Sequence, residues 1–471
     1  MSTFDFDFND FDDSEHEQHL RDLVDAYEAE DGGGYFDSVQ LEHIATYYFE
    51  NGHLHDALVV IDRLLEEHPC ASDAWMRRGI LLSTMGRPQE ALEAYDEALA
   101  LNPTDPETLI NRGITLDSLG AVADAIEAYD AALAINPRHS EALFNKGVTL
   151  ERDGQLAQAI AAFEACAEVQ PEHPEVWYEL GYCHDRLSND ADSVAAYDKH
   201  LDVEPYSQDA WYNRGIVLNR MGRYEDAIAS YEMALAIQDD FASAHYNCGN
   251  AQANAGQLEA AIDSYRQVLE LEGPDAATFY NIALAFEELG SVQIARDYYE
   301  RALNEEPGYA QAWYGLGCCY ESDEQLSDAL DCFNRALRLD TERAKFWHAK
   351  ADCCFTMGRM EDAVEAYHNA VQLEPENNNA WVGYAEALLA TRHAEEALKA
   401  YQQALALAPE SASTYVRQAR ALMALGRAHE TIRCLKKAIR LDPAQKEEIR
   451  RTYPDLYYDD WARRELGLDP S

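Results

Sequence analysis

Small, apolar and bulky side chains return along this chain with a period of 34 residues. Counting from Ser38, twelve successive units run to Gln445 without insertion or deletion. Position eight of the unit is always small: Ala45, Gly79, Gly113, Gly147, Gly181, Gly215, Gly249, Ala283, Gly317, Ala351, Ala385 and Ala419. Position twenty is alanine except at Ser193 and Thr431, and position twenty-four is bulky throughout, from Ile61, Tyr95 and Tyr129 to Tyr401 and Leu435. Apolar residues at positions four (Trp75, Trp177, Trp211, Trp313) and eleven (Leu82, Leu116, Leu150) complete a stripe spaced by three, four and seven, which is helical. A column of small residues facing a column of rings is what two helices need to approach closely, so each unit predicts a helical hairpin stacked on its neighbours.

The breaks between helices are equally regular. Glycine recurs at position fifteen (Gly52, Gly86, Gly120, Gly154, Gly222, Gly256, Gly290, Gly358, Gly426), where a helix ends most cheaply by turning left-handed. Proline closes most units at position thirty-two, as at Pro69, Pro171 and Pro375. Looser turns are expected where position fifteen is Ser188, Glu324 or Arg392, or position thirty-two Asp239, Gly273 or Thr341.

This pattern of tryptophan, leucine-glycine, tyrosine, alanine, aromatic, alanine and proline resembles the tetratricopeptide repeat, over residues 38–445. The resemblance implies an all-α fold, a right-handed superhelical solenoid of antiparallel helix pairs. It also implies a concave face, lined by the first helix of each pair, that binds an extended peptide or a partner helix.

Outside the array, residues 1–13 alternate Phe4, Phe6 and Phe8 with Asp5, Asp7 and Asn9 and are expected to be a disordered acidic and aromatic tail. Residues 14–37 read as a capping helix with Leu20, Leu23 and Tyr27 on its apolar face, followed by a glycine-rich linker at Gly32 to Gly34. Residues 446–471 read as a C-terminal cap, begun as a thirteenth first helix and cut short by Pro454.

Charge constrains partners. The chain holds 87 acidic and 37 basic residues, a formal charge of −50, and only eight of the bases are lysine. Such a surface does not favour nucleic acid. The acids are spread over nearly every unit, the pattern expected of adaptation to a salty cytoplasm; recruitment of a basic partner is the other reading. The segment from Arg417 to Arg451 runs the other way, with ten basic and four acidic residues. It is either a site for an acidic partner, including the acidic head of another copy or RNA, or a set of cations offsetting helix dipoles. No run is apolar enough to span a membrane and the start lacks a secretory pattern, so the expected location is cytoplasmic.

The helical wheel supplies the candidate binding face. With positions four, seven, eight and eleven toward the core, positions two, five, six, nine, twelve and thirteen face the other way. Position five gives Phe144, Tyr178, Tyr212, Tyr246, Tyr280 and Tyr314; position six gives Asn111, Asn145, Asn213, Asn247 and Asn281, interrupted by Glu179; position thirteen adds Arg152, Arg186 and Arg220. Asparagine offers donor and acceptor to a peptide backbone and tyrosine a rigid contact area. The alternative is that these residues only pack locally.

No chemistry-bearing motif competes with this. There is no nucleotide-binding glycine loop, no nucleophile elbow and no H-E-x-x-H, and neither flank could hold a catalytic domain, so neither an enzyme nor a cofactor is expected. Neither the histidines of the first unit (His43, His53, His55, His68) nor the cysteines Cys318, Cys319, Cys353 and Cys354 form a metal-ligand pattern. The expected function is a non-catalytic scaffold that binds a protein or peptide partner in its groove. The alternative is an assembly protein joined head to tail through its acidic and basic ends, and weak self-association fits either.

Overall fold

Each unit folds as a helical hairpin because its start, break and stop signals fall in register with its apolar stripe. The computed structural model describes residues 13–29 and 34–466, and among them there are 28 helices and no strand. The aromatic and acidic start, residues 1–12, lies outside the described residues, as do Gly32 and Gly33. In repeat three the first helix is Pro106–Ser118 and the second Val122–Ile135, and the other repeats copy this division closely. The chain divides at the end of repeat six into two compact units, Met1–Asp239 and Asp240–Ser471. Each is by itself a stack of helix pairs in which successive helices pack on one another.

The turns correct one expectation. Ser188, Glu324 and Arg392 stand where other repeats carry glycine, yet their turns are not looser: φ is 59°, 59° and 66°, the left-handed region that Gly52 and its equivalents occupy. The reason is the hydrogen bond that closes the helix. The N–H at position sixteen donates to the carbonyl at position eleven in glycine turns (His53 to Tyr48, 2.8 Å) and in the exceptions alike (Asn189 to His184, 2.9 Å; Gln325 to Tyr320 and His393 to Leu388, 2.8 Å). At position thirty-two the expectation holds in part: the turns at Gly273 (φ 90°, after a helix one residue longer) and Thr341 lack the backbone bond that closes turns such as Ala71 to His68, but one tie survives at Thr341. The position-thirty-two carbonyl accepts from the indole N–H at position four of the next repeat, whether it belongs to Pro171 (from Trp177, 2.8 Å) or Thr341 (from Trp347, 2.9 Å).

The small and bulky columns meet as the sequence requires, in two arrangements. Where position eight is glycine, the ring at position twenty-four of the same repeat lies on it: a Cβ added at Gly113 would stand 2.5 Å from Tyr129 Cε1, and one at Gly147 2.5 Å from Phe163 Cε1. Where position eight is Ala283 or Ala351, the ring leans toward position six of the following repeat, and glycine is found there instead. A Cβ at Gly315 would meet Tyr299 Cζ at 2.4 Å, and one at Gly383 would meet Tyr367 Cε1 at 2.6 Å.

Position seven is only partly a core position. It carries Arg78, Arg112, Lys146 and Arg214, which pair with the aspartate at position twenty-five of the preceding repeat: Asp62 (2.7 Å), Asp96 (3.0 Å), Asp130 (2.5 Å) and Asp198 (2.6 Å). These pairs lie on the seam between repeats, half-buried, and each contributes modestly. At the start of the array, the helix Asp13–Ala29 buries Val24 and Tyr27 with Phe36 against repeat one. At the other end, Gln445–Thr452 stops ahead of Pro454, and Ile449, Tyr453, Ala462 and Leu466 cover the last repeat.

Candidate peptide-binding face

Position five lies three residues before position eight on the same helix, so its side chain stands beside the ring that position eight accommodates. Each predicted ring therefore packs on the position-twenty-four ring of its own repeat. Phe144 lies 5.7 Å from Phe163, Tyr178 5.8 Å from Tyr197 and Tyr212 6.0 Å from Tyr231 in the first unit. In the second unit Tyr246 lies 5.9 Å from Tyr265, Tyr280 5.8 Å from Tyr299 and Tyr314 6.0 Å from Phe333. All six rings are half-buried. Burial raises the phenols of Tyr178 and Tyr280 above the ordinary tyrosine value, so they stay protonated and able to donate.

The asparagines divide into two kinds. Asn213 Nδ2 donates to the Tyr178 hydroxyl at 3.0 Å, and Asn281 Nδ2 makes the same 3.0 Å bond to Tyr246, so amide and ring of neighbouring repeats are joined within each unit. Asn111 and Asn145 instead donate to carbonyls of their own helix, Glu107 (3.0 Å) and Glu141 (2.9 Å). Asn247 holds the same helical position in Ala242–Asn254.

The arginines do not form a bare cationic strip. Arg152 pairs with Asp117 at 2.6 Å, Arg220 with Asp185 at 2.5 Å and Asp190 at 2.6 Å, and Arg186 donates to the Tyr182 hydroxyl at 2.8 Å. What stands out on this face of the first unit is acid. Position two reads Asp73, Glu107, Glu141, Glu175 and Asp209, a column visible in the sequence that the wheel included but no expectation used. Burial and then the carboxylate of Glu107 raise Glu141 above the usual carboxylate range, and burial, then Glu151 and Glu175, push Glu179 up to about 7. In repeats seven to ten position two becomes Ser243, Ala277, Gln311 and Lys345.

The second unit carries a feature with no counterpart among the predicted residues, an open cavity of about 390 Å³ lined by His348, Asp352, Tyr367, Gly383, Glu386 and Arg417. The Tyr367 ring, which lies against Gly383, forms part of its wall. Cys319, Cys353 and Cys354 are buried thiols raised by that burial, and Cys353 Sγ lies 3.3 Å from the Leu326 carbonyl. Among the described residues no group of three or more His, Cys, Asp or Glu could hold a metal ion, and no helix is long and apolar enough to cross a membrane.

Comparison with curated protein sequences gave no match. Among solved structures the chain is similar to the MamA protein (24% identity, 37% of this chain and 96% of that one, TM-score 0.35). It is also similar to YrrB, described as a TPR protein with an unusual peptide-binding site (22% identity, 39% and 95%, TM-score 0.34), and to the APC/C hetero-tetramer Cut9-Hcn1 (14% identity, 97% and 94%, TM-score 0.38). Two family models for the tetratricopeptide repeat match residues 72–105 and 209–241, and residues 110–166 and 151–210. The model described as Cilia and flagella-associated protein 70 C-terminal domain matches residues 236–448. With helix pairs in continuous register on both sides of these matches, the chain belongs to the tetratricopeptide repeat proteins, whose fold in general mediates interaction between proteins and is not catalytic.

Proposed function

We propose that this protein is a cytoplasmic interaction scaffold whose first-helix face grips an extended segment of a partner protein, with the tyrosines of position five as contact area and the asparagines of position six as backbone readers. The observation that carries this reading is the amide-to-phenol bond repeated in both units. Asn213 and Asn281 each spend an N–H on a tyrosine of the preceding repeat, which orients the amide, while neither Oδ1 accepts a bond from the described residues. An oriented, unused acceptor on an exposed helix face is suited to a peptide N–H. Phe144 and Asn145 in the first unit, and Tyr280 and Tyr314 in the second, extend the same kind of surface.

The rings are poor choices for a first test, since removing them also strips the core rings beneath. Asn213→Ala combined with Asn281→Ala is the cleaner variant. Proteins co-purified from the native cytoplasm at native salt by wild type and lost by this variant, with the helical circular dichroism of the two unchanged, support the groove. Retention of the same proteins by both variants contradicts it.

A second reading, self-assembly through the charged ends, is favoured by one observation. On the helix Ala428–Leu441, Arg433, Lys436 and Arg440 share one face and make no ion pair with the described residues, whereas Arg427 is held by Glu430 at 2.6 Å. Sedimentation at rising salt separates the two: charge-driven association weakens with salt and aromatic gripping does not.

A further inference from the structure

We propose that repeat five is a subsite for a cationic side chain, a lysine or arginine of the bound segment, and that Glu179 selects it. This rests on the groove reading above and narrows it to a basic partner. Position six is asparagine in repeats three, four and six, but glutamate in repeat five. Glu179 is half-buried on the helix Val176–Arg186 and makes no ion pair with the described residues; Glu175, the N-cap of that helix, and Glu151, on the first helix of the preceding repeat, are likewise unpaired among them. The arginines that could neutralise them are committed elsewhere, Arg152 to Asp117, Arg186 to Tyr182 and Arg220 to Asp185 and Asp190. A half-buried carboxylate among like charges is unfavourable until a counter-charge arrives.

An independent observation points into the same place. In repeats seven, eight, ten and eleven the tyrosine hydroxyl at position twenty-four donates to an acceptor at position nine or twelve of its own repeat: Tyr265 to Asn250 (2.8 Å), Tyr299 to Glu287 (2.6 Å), Tyr401 to Glu386 (2.8 Å) and Tyr367 to Asp352. Tyr197 is 0% exposed, and its hydroxyl has no hydrogen-bond partner among the described residues. Position nine is here another phenol, Tyr182, and Asp185 at position twelve is taken by Arg220. The orphan hydroxyl lies within the electrostatic reach of Tyr178, Glu179, Tyr182 and Asp185. A buried donor without an acceptor is costly, about 1–3 kcal/mol.

One ligand chemistry completes both deficits. An ammonium or guanidinium above Glu179 supplies the missing counter-charge, and a Glu179 held in its ionised form is an acceptor for the Tyr197 hydroxyl below. Tyr178 and Tyr182 stand beside it as aromatic walls, and the Arg186 guanidinium, 5.7 Å from the Tyr182 ring centre, shows that this ring accommodates a cation.

The test uses the full chain and peptide pools of nine degenerate positions around a fixed central Lys, Arg, Gln or Glu, at 1 M KCl to suppress attraction to the general acidic surface. Wild type is expected to retain the Lys and Arg pools about tenfold over the Gln pool, an increment typical of a charge-assisted contact. Glu179→Gln should abolish that preference, and Glu179→Asp should restore part of it. Equal retention of the Lys, Arg and Gln pools by wild type, or an intact preference in Glu179→Gln, overturns the subsite. If wild type shows no Lys or Arg preference but its retention of the Gln pool is lost from the Asn213→Ala, Asn281→Ala variant, the groove stands while the subsite falls. If no pool is retained, both fall.

Discussion

Gly113→Ala adds one methyl group, and the structure gives opposing reasons to expect gain and loss. Alanine is the better helix former by about 1 kcal/mol in a helix interior. Its Cβ would however stand 2.5 Å from Tyr129 Cε1 and 2.9 Å from both Cδ1 and Cζ. Ordinary contact would require the ring to retreat by roughly 1 Å. Tyr129 is 1% exposed and enclosed by its own hairpin and the next, so overpacking of about 1–3 kcal/mol follows. The net expectation is a loss of about 1 kcal/mol, confined to repeat three and its neighbours. Repeats eight and ten show how the loss can be relieved: alanine at position eight is tolerated there because the ring leans onto glycine at position six of the next repeat. Asn145 holds that place after repeat three. Asn145→Gly by itself should also destabilise, and the pair should recover about 1 kcal/mol relative to the sum of the single changes. Because a repeat array unfolds locally, the suitable assay is amide hydrogen exchange across Pro106–Ser118 and Val122–Ile135. If Gly113→Ala is as well protected as wild type, the close approach of position eight to the ring is not what selects glycine.

Two further outcomes follow from local features. Arg392→Gly should raise the denaturant midpoint, by about 0.5–1 kcal/mol in stability, because a non-glycine residue at φ 66° is strained by more than glycine loses in chain entropy; no change would mean the turn carries no strain. For Glu179 the sign follows from its value of about 7, raised by burial and then by Glu151 and Glu175. Between about pH 4.5 and 7 the native chain keeps a proton that the unfolded chain has released, so this group's contribution to stability falls as pH rises through that window. With solvent screening allowed for, Glu179→Gln should remove a slope worth about 1–2 kcal/mol; identical pH profiles of unfolding for the two proteins would refute the shift.

Most of the fold is legible in the sequence because its determinants sit in single columns. Small residues at position eight and rings at position twenty-four declare a helix pair whoever the neighbours are, and glycine at position fifteen declares its turn. What the columns hide are properties of pairs. Arg214 and Asp198 are sixteen residues apart and belong to different repeats, so neither reads as a seam residue until stacking brings them to 2.6 Å. Arg392 reads as a departure, yet its turn is identical, because the hydrogen bond from His393 to Leu388 defines the conformation and the side chain only bears its cost. The binding face suffers most from this. The wheel places Tyr178 and Asn213 on one side of their helices without showing that they are bonded to each other, and the charge of Arg220 is cancelled by Asp185, thirty-five residues before it.

The alternation of ring position ties the face to the fold. Where the ring of a repeat leans onto its own position eight, position six of the next repeat is open to a side chain, and in most repeats that ring leans this way because position eight is glycine. Gly79, Gly113, Gly147 and Gly181 precede Asn111, Asn145, Glu179 and Asn213, and Gly249 precedes Asn281, whereas Ala283 and Ala351 precede Gly315 and Gly383. Arg77 follows Ala45, but there position twenty-four is Ile61 and no ring competes for the space; Arg417, after Ala385, departs from the pattern, and nothing in the structure explains it. The asparagine column is therefore not a surface feature free to vary by itself. Where it ends at Gly315, Tyr299 lies in the space a side chain would need and position eight of its repeat is Ala283, so moving the amides along the array calls for moving with them the glycines that make room.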